Sequence, residues 1–175
     1  MSLPDPLPPT FAADLSLTVR AVIAHPILTG GRQQVDAGPL AARAEVDRAA
    51  GTLRITDFPT VTDRVSTKIG RVAASVVLQG QPTGTFDDET GHLSVEADLR
   101  IAPKSLLARD SRVTMTLATD DRVDTPEVSA EGDPLDDGDA TLRLVGEGTF
   151  RGGTLAGGTF WLVLDGTVES VTEPD

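Results

Sequence analysis

The chain has no cysteine, which removes disulfide frameworks, thiolate zinc sites, iron–sulfur clusters and a cysteine nucleophile together. Its two histidines are His25 and His92, too few for a zinc site built on two or three imidazoles. Both are expected at the surface, and no strand–turn–helix Gly-x-Ser-x-Gly elbow presents a serine to either of them. Tyrosine is absent, and Trp161 is the single tryptophan beside five phenylalanines. The exposed rings on which sugar-binding sandwiches and single-strand nucleic-acid binders stack their ligands are therefore scarce. No apolar run approaches the roughly 18 residues of a bilayer-spanning helix, and the opening MSLPDPLPPTF lacks the basic and apolar regions of a signal peptide. The chain is expected to be soluble, with its compartment open. Cations are in deficit too: 15 Lys plus Arg face 27 Asp plus Glu, a net charge of -12, and Lys68 and Lys104 are the only lysines. A field of that sign repels phosphate backbones and anionic lipid, so nucleic acid and membrane surfaces are poor partners and cations or basic proteins better ones.

What remains is the composition of one globular domain. A chain of 175 residues buries roughly two-thirds of the surface it exposes when unfolded, enough to fold without a disulfide or metal. Prolines at 4, 6, 8 and 9 mark residues 1–13 as an extended N-terminal arm ahead of a single all-β domain at 14–175.

Period-two alternation dominates that domain, the mark of strands with one face inward and the other in water. From Asp14 to Ala24, Leu15, Leu17, Val19, Ala21 and Ile23 share a face; from His92 to Ile101, Leu93, Val95, Ala97, Leu99 and Ile101 do so. Shorter runs at Leu40–Val46, Leu53–Ile55, Arg71–Leu78, Val113–Leu117, Leu142–Val145 and Phe160–Leu164 follow the rule, with further strands near Val61 and Thr83–Phe86. The expectation is an antiparallel β-sandwich, jelly-roll-like, or a closed β-barrel of about nine or ten short strands. The one segment suited to a turn of helix is Pro103–Arg109, with proline at a first-turn position.

Two hairpins share a template. Val46–Ile55 and Phe86–Val95 both read apolar, Asp, three residues, Gly, x, Leu, x, apolar. Asp47 and Asp87 can each bond the backbone amides of the turn they open, and the glycine supplies a positive φ. Turn chemistry explains these aspartates without a cation. The glycine-rich stretch Gly146–Phe160 lacks the Gly-Lys-Ser/Thr ending of a P-loop, and reads as a wide hairpin whose glycines permit close strand approach. Gly-Thr-Phe recurs at 84–86, 148–150 and 158–160.

Three places could carry function. Asp133, Asp136, Asp137 and Asp139 crowd one glycine-containing loop, and calcium is the cofactor that such oxygens could hold. The alternating ligand spacing and closing glutamate of an EF-hand are missing, so a solvated acidic loop is the simpler reading. Phe160–Leu164 is apolar on both faces, and Trp161 and Val163, opposite Phe160, Leu162 and Leu164, form a candidate interface or ligand patch. The aliphatic, alanine-rich core could leave a cavity if the sheet closes as a barrel, and could equally let two sheets pack close together. No catalytic residue stands out, although paired carboxylates could be singled out only by geometry. The sequence thus points to a non-catalytic binding or assembly module, self-associating through the Trp161 face. The alternatives are a small barrel for an apolar molecule, as in lipocalin-type carriers or cavity-type enzymes, and a calcium-dependent surface-attachment domain.

Overall fold

The computed structural model describes residues 8–68, 70–87, 89–90, 92–119 and 141–174. Ten strands follow in chain order: β1 (Thr10–His25), β2 (Gly31–Asp47), β3 (Thr52–Asp57), β4 (Val61–Thr67), β5 (Gly70–Leu78), β6 (Thr83–Phe86), β7 (Leu93–Pro103), β8 (Ser111–Ala118), β9 (Thr141–Thr149) and β10 (Thr159–Thr172). The sheet runs β4-β5-β7-β6-β3-β2-β1-β10-β9-β8 and returns to its own interior through a β7–β8 ladder. Eight antiparallel strands thereby close into a barrel, with β4 and β5 as an additional pair. Of the two architectures the alternation allows, the barrel is the one adopted.

β7 makes the closure possible. One edge pairs with β8 from Ser94 to Ile101. The other edge is shared in succession by β6, opposite Leu93 to Val95, and by β5, opposite Leu99 to Pro103. The interior is packed by β7 (Val95, Ala97, Leu99, Ile101), β8 (Val113, Met115, Leu117), β1 (Val19, Ala21, Ile23) and β10 (Phe160, Leu162, Leu164). Phe150 and Phe160 meet within it at 5.6 Å in a tilted arrangement, which suits the ring quadrupoles.

Each Gly-Thr-Phe triplet combines close strand approach with core filling. The phenylalanines Phe86, Phe150 and Phe160 all enter the core. A Cβ on Gly84 would stand 2.0 Å from the Ser94 carbonyl oxygen, on Gly148 2.4 Å from Val113 Cγ2, and on Gly158 2.7 Å from the Ala24 carbonyl oxygen. Asp47 and Asp87 act as the hairpin template implies. Asp47 accepts from the Ala50 amide at 2.9 Å, and Asp87 from the Glu89 and Thr90 amides at 2.9 and 3.2 Å. These amide bonds hold the Asp87 carboxyl below its usual range.

The structure departs from expectation in three places. β1 begins at Thr10, inside the segment read as an arm, and Phe11, Ala12 and Ala13 are buried. β2 starts at Gly31, nine residues before the alternation is readable, because Arg32, Gln33 and Gln34 are polar and Gly38-Pro39 sits at a register shift against β1. Pro103–Arg109 forms no helix: β7 runs through Pro103, and a β-turn closed by the Ala108 amide on the Ser105 carbonyl follows. A helix there would have needed an apolar face to bury, yet Leu106 and Leu107 are 106% and 92% exposed.

At the other end of the barrel, Asp14 fastens three strands at the β1 bulge, accepting from Arg43 on β2 at 2.7 Å and Ser170 on β10 at 2.7 Å. The Ser170 hydroxyl and then the Arg43 guanidinium hold its carboxyl below the usual carboxylate range. A carboxylate depressed in the folded state adds stability above its unfolded pKa and loses it as pH falls through the folded value. Asp14→Asn should therefore cost up to about 1 kcal/mol at neutral pH, as for a half-exposed pair, and show a shallower decline below about pH 4; urea titrations across pH read both. Gly84→Ala should be costlier, about 2–3 kcal/mol by overpacking against immovable backbone. An unchanged urea midpoint would contradict the close β6–β7 approach.

Candidate functional site

One end of the barrel is formed by the β1–β2 turn (26–30), the β4–β5 turn at Lys68, the β7–β8 loop (104–110) and the β9–β10 loop (150–158). Beneath these loops lies a cavity of about 170 Å³. Its floor is made by Ile23 and Ile101, whose other sides belong to the packed core. One wall is the extra hairpin, with Val65 and Thr67 on β4 and Val72 and Ala74 on β5. Leu28 and Thr29, Leu107 and Ala108, and Thr154 and Leu155 complete it from three loops. Leu107 lines the cavity and is also 92% exposed, so it stands at the mouth.

The cavity follows from how the strands are shared. β2 pairs with β3 only from Arg43 to Asp47. Along its first half β2 lies beside β4, with no ladder between the two among the described residues. A wall approached without interstrand hydrogen bonds stands farther off than the 4.7–4.9 Å of a paired strand. The core side chains do not fill the extra width.

The hydroxyls around this space are turned back onto backbone. Thr29 Oγ1 accepts from the His25 amide at 2.8 Å and lies in donating reach of the His25 and Gly31 carbonyls. Thr154 Oγ1 accepts from the Arg109 amide at 2.7 Å, Thr67 Oγ1 donates to the Gly70 carbonyl at 2.7 Å, and Ser105 Oγ accepts from the Leu107 amide at 3.3 Å. What faces the cavity is methyl and methylene surface, and among the described residues no titratable side chain lines it. Such a wall can solvate apolar matter.

His25 holds the loops in place. Its Nδ1 receives the Ile27 and Leu28 amides at 3.2 and 3.0 Å, which leaves the ring proton on Nε2, 3.3 Å from the Ala156 carbonyl oxygen. This histidine, expected as a surface residue, is half-buried and ties the β1–β2 turn to the β9–β10 loop. The Lys68 amide donates to the Leu28 carbonyl at 2.9 Å, and the Thr154 amide to the Arg109 carbonyl at 3.1 Å.

The residues singled out in the sequence lie elsewhere. Asp133, Asp136, Asp137 and Asp139 fall outside the described residues. Among the described residues no group of three or more His, Asp or Glu is placed to hold a metal. Trp161 and Val163 sit on the side of β10 facing away from the core, paired with Val22 and Arg20 of β1. Val163 is 3% exposed, and Trp161 is half-buried with the Arg32 guanidinium 5.6 Å above its ring. A second, shallower depression holds Asp14, Asp57 and Glu169 beside Arg43, with Asp14 committed to Arg43 and Ser170. The cavity residues themselves escaped the sequence reading. Their one local signal is an apolar pair, Leu106-Leu107, inside a loop flanked by Lys104 and Arg109.

Fold and site together define a small antiparallel β-barrel with an apolar chamber under the loops of one end. No protein-family model, no curated protein and no solved structure matches the chain.

His25→Ala removes an acceptor from two amides and should cost about 1–3 kcal/mol. Amide exchange at Ile27 and Leu28 should accelerate more than in the distant β2–β3 turn, and His25→Asn, which keeps a short acceptor, should restore part of the protection. Uniform acceleration across both turns would deny the histidine this local role.

Proposed function

We propose that this protein is a binding module for a small apolar molecule, held in the chamber bounded by Ile23, Val65, Ala74, Ile101 and Leu107. The observation that carries the reading is the chemistry of the wall: every threonine and serine hydroxyl around the cavity is engaged with backbone, so a polar guest would find no partner. An apolar cavity of roughly 150 Å³ is large enough to stay dry and admit benzene, and the present one is about 170 Å³. Pockets for drug-sized ligands are larger, about 300–1,000 Å³. The guest is accordingly a single ring, a short branched chain, or the end of a longer chain leaving past Leu107.

Burial contributes about 0.8 kcal/mol per methylene, so a six-carbon guest gains roughly 5 kcal/mol and binds in the range of tenths of a millimolar. Toluene added to isotope-labelled protein should shift the methyl signals of Ile23, Val65 and Ile101 with saturation. Ala74→Leu, which fills the chamber from β5, should weaken that binding at least tenfold, while the fold and the other methyl positions persist. Linear, unsaturated shifts up to the solubility of toluene, or binding indifferent to Ala74→Leu, would remove this reading.

Self-association through Trp161 and Val163 is the second reading, and it draws on the outward apolar residues Val22, Val145 and Val163. All three are already 3% exposed or less within one chain, and Arg32 covers the Trp161 ring. That face offers less free apolar surface than the mouth does. Light scattering during size-exclusion chromatography tests it: an oligomer that Trp161→Ala dissociates would support it, and a monomer at high concentration would oppose it.

A further inference from the structure

We propose that the mouth of the barrel docks on an anionic lipid bilayer, with Ile27, Leu106 and Leu107 entering the interface and the basic residues around them meeting the headgroups. Ile27 at 68%, Leu106 at 106% and Leu107 at 92% are the exposed large hydrophobic residues among those described, and all three belong to this one end. The β-turn closed by the Ala108 amide on the Ser105 carbonyl holds Leu106 and Leu107 at its two central positions. Leu106 is fully exposed there, and Leu107, which borders the chamber, is 92% exposed at its rim.

The charge around them opposes that of the chain. The net charge is -12, yet the mouth carries exposed Lys68, Lys104, Arg109 and Arg151, including both lysines of the sequence. None of these four has a carboxylate partner among the described residues. Exposed Arg32, Arg71 and Arg112 flank them at the ends of β2, β5 and β8. The loops 26–30, 104–110 and 150–158 contain a single acid, Asp110, and it is paired with Arg100 at 3.2 Å.

The expectation that anionic surfaces are poor partners follows from net charge, and at contact the local charge decides. Screening limits reach to about 8 Å at physiological ionic strength. The turns at the opposite end, with Asp47, Asp87 and Glu89, lie one barrel length away, roughly 25 Å for tilted strands of this size. Apolar side chains at a tip ringed by cations match the two components of interfacial binding, acyl-boundary burial and attraction to anionic headgroups. The Lys68–Leu28, Arg109–Thr154 and His25–Ala156 bonds join the separate loops into one surface. The proposal stands whether or not the chamber is filled.

The test is co-sedimentation of the full chain with vesicles of phosphatidylcholine alone and mixed with phosphatidylglycerol, at low and high salt. Binding is expected on the anionic vesicles at low salt, with sharp loss in high salt and little on the zwitterionic ones. Lys104→Gln with Arg109→Gln should lower partitioning about 25-fold, since each cation near such a surface is worth about fivefold. Ala49→Asp with Ala50→Asp, the same net charge change in the exposed turn of the opposite end, should leave it within about twofold. Leu106→Ser with Leu107→Ser, both highly exposed, should fold normally and lose most of the binding. No binding to anionic vesicles at low salt would overturn the proposal, as would equal losses in the two charge variants or indifference to the leucine substitutions. So would light scattering showing a dimer of the wild-type chain that the leucine substitutions dissociate, because the tip would then belong to a second copy.

Discussion

Closure of the sheet depends on β7 being hydrogen-bonded along both edges, and the rest of the structure follows from how its second edge is divided. β8 takes one edge almost entirely, while β6 and β5 take the other in succession. Because Gly84 has no side chain, β6 can lie against Ser94 and Val95, so the end opposite the chamber is joined by a ladder there. At the other end the β4–β5 hairpin stands in the wall, bonded to β7 and merely adjacent to β2. The packed core and the chamber are thus two consequences of one pairing pattern. Full interstrand bonding brings walls close enough for side chains to interdigitate, and its local absence leaves room.

The polar groups around the chamber show why its surface is apolar although four of its lining residues are threonine or serine. Tight loops leave backbone amides without strand partners, and nearby side chains can take them up. Thr29, Ser105 and Thr154 do so, and His25 does the same for Ile27 and Leu28. Groups that a sequence reading would set aside for chemistry are used in building the loops. The same holds for Asp47 and Asp87 in their turns and for Asp14 at the bulge.

Much of the strand content was legible. All ten strands overlap a run read as strand from the sequence, since most of them turn one face to the core and the other outward. The parts that were not legible fail for identifiable reasons. Gly31–Pro39 carries polar residues, two glycines and a proline, and among the described residues this half of β2 has no bonded neighbour on its outer edge. Asp165–Thr172 continues β10 beyond its apolar stretch, supported by ladder bonds to β1. Pro103–Arg109 has the composition of a helix start, but the proline completes a ladder position opposite Ala74, and the following leucines stay largely exposed. Local propensity yields where tertiary pairing takes the residue first.

By itself the sequence determined that the chain is all-β, that aspartate–glycine turns join its hairpins, and that cysteine and multi-histidine chemistry are excluded; periodicity, turn residues and composition are local properties. Whether the strands form two sheets or one closed barrel was decided only in the tertiary structure, because the β7–β8 ladder and the division of the second edge of β7 join residues far apart in the chain. The chamber and the basic, apolar-tipped mouth are likewise tertiary. They gather single residues from several separated loops, and neither alternation nor net charge records which loops share an end of the barrel.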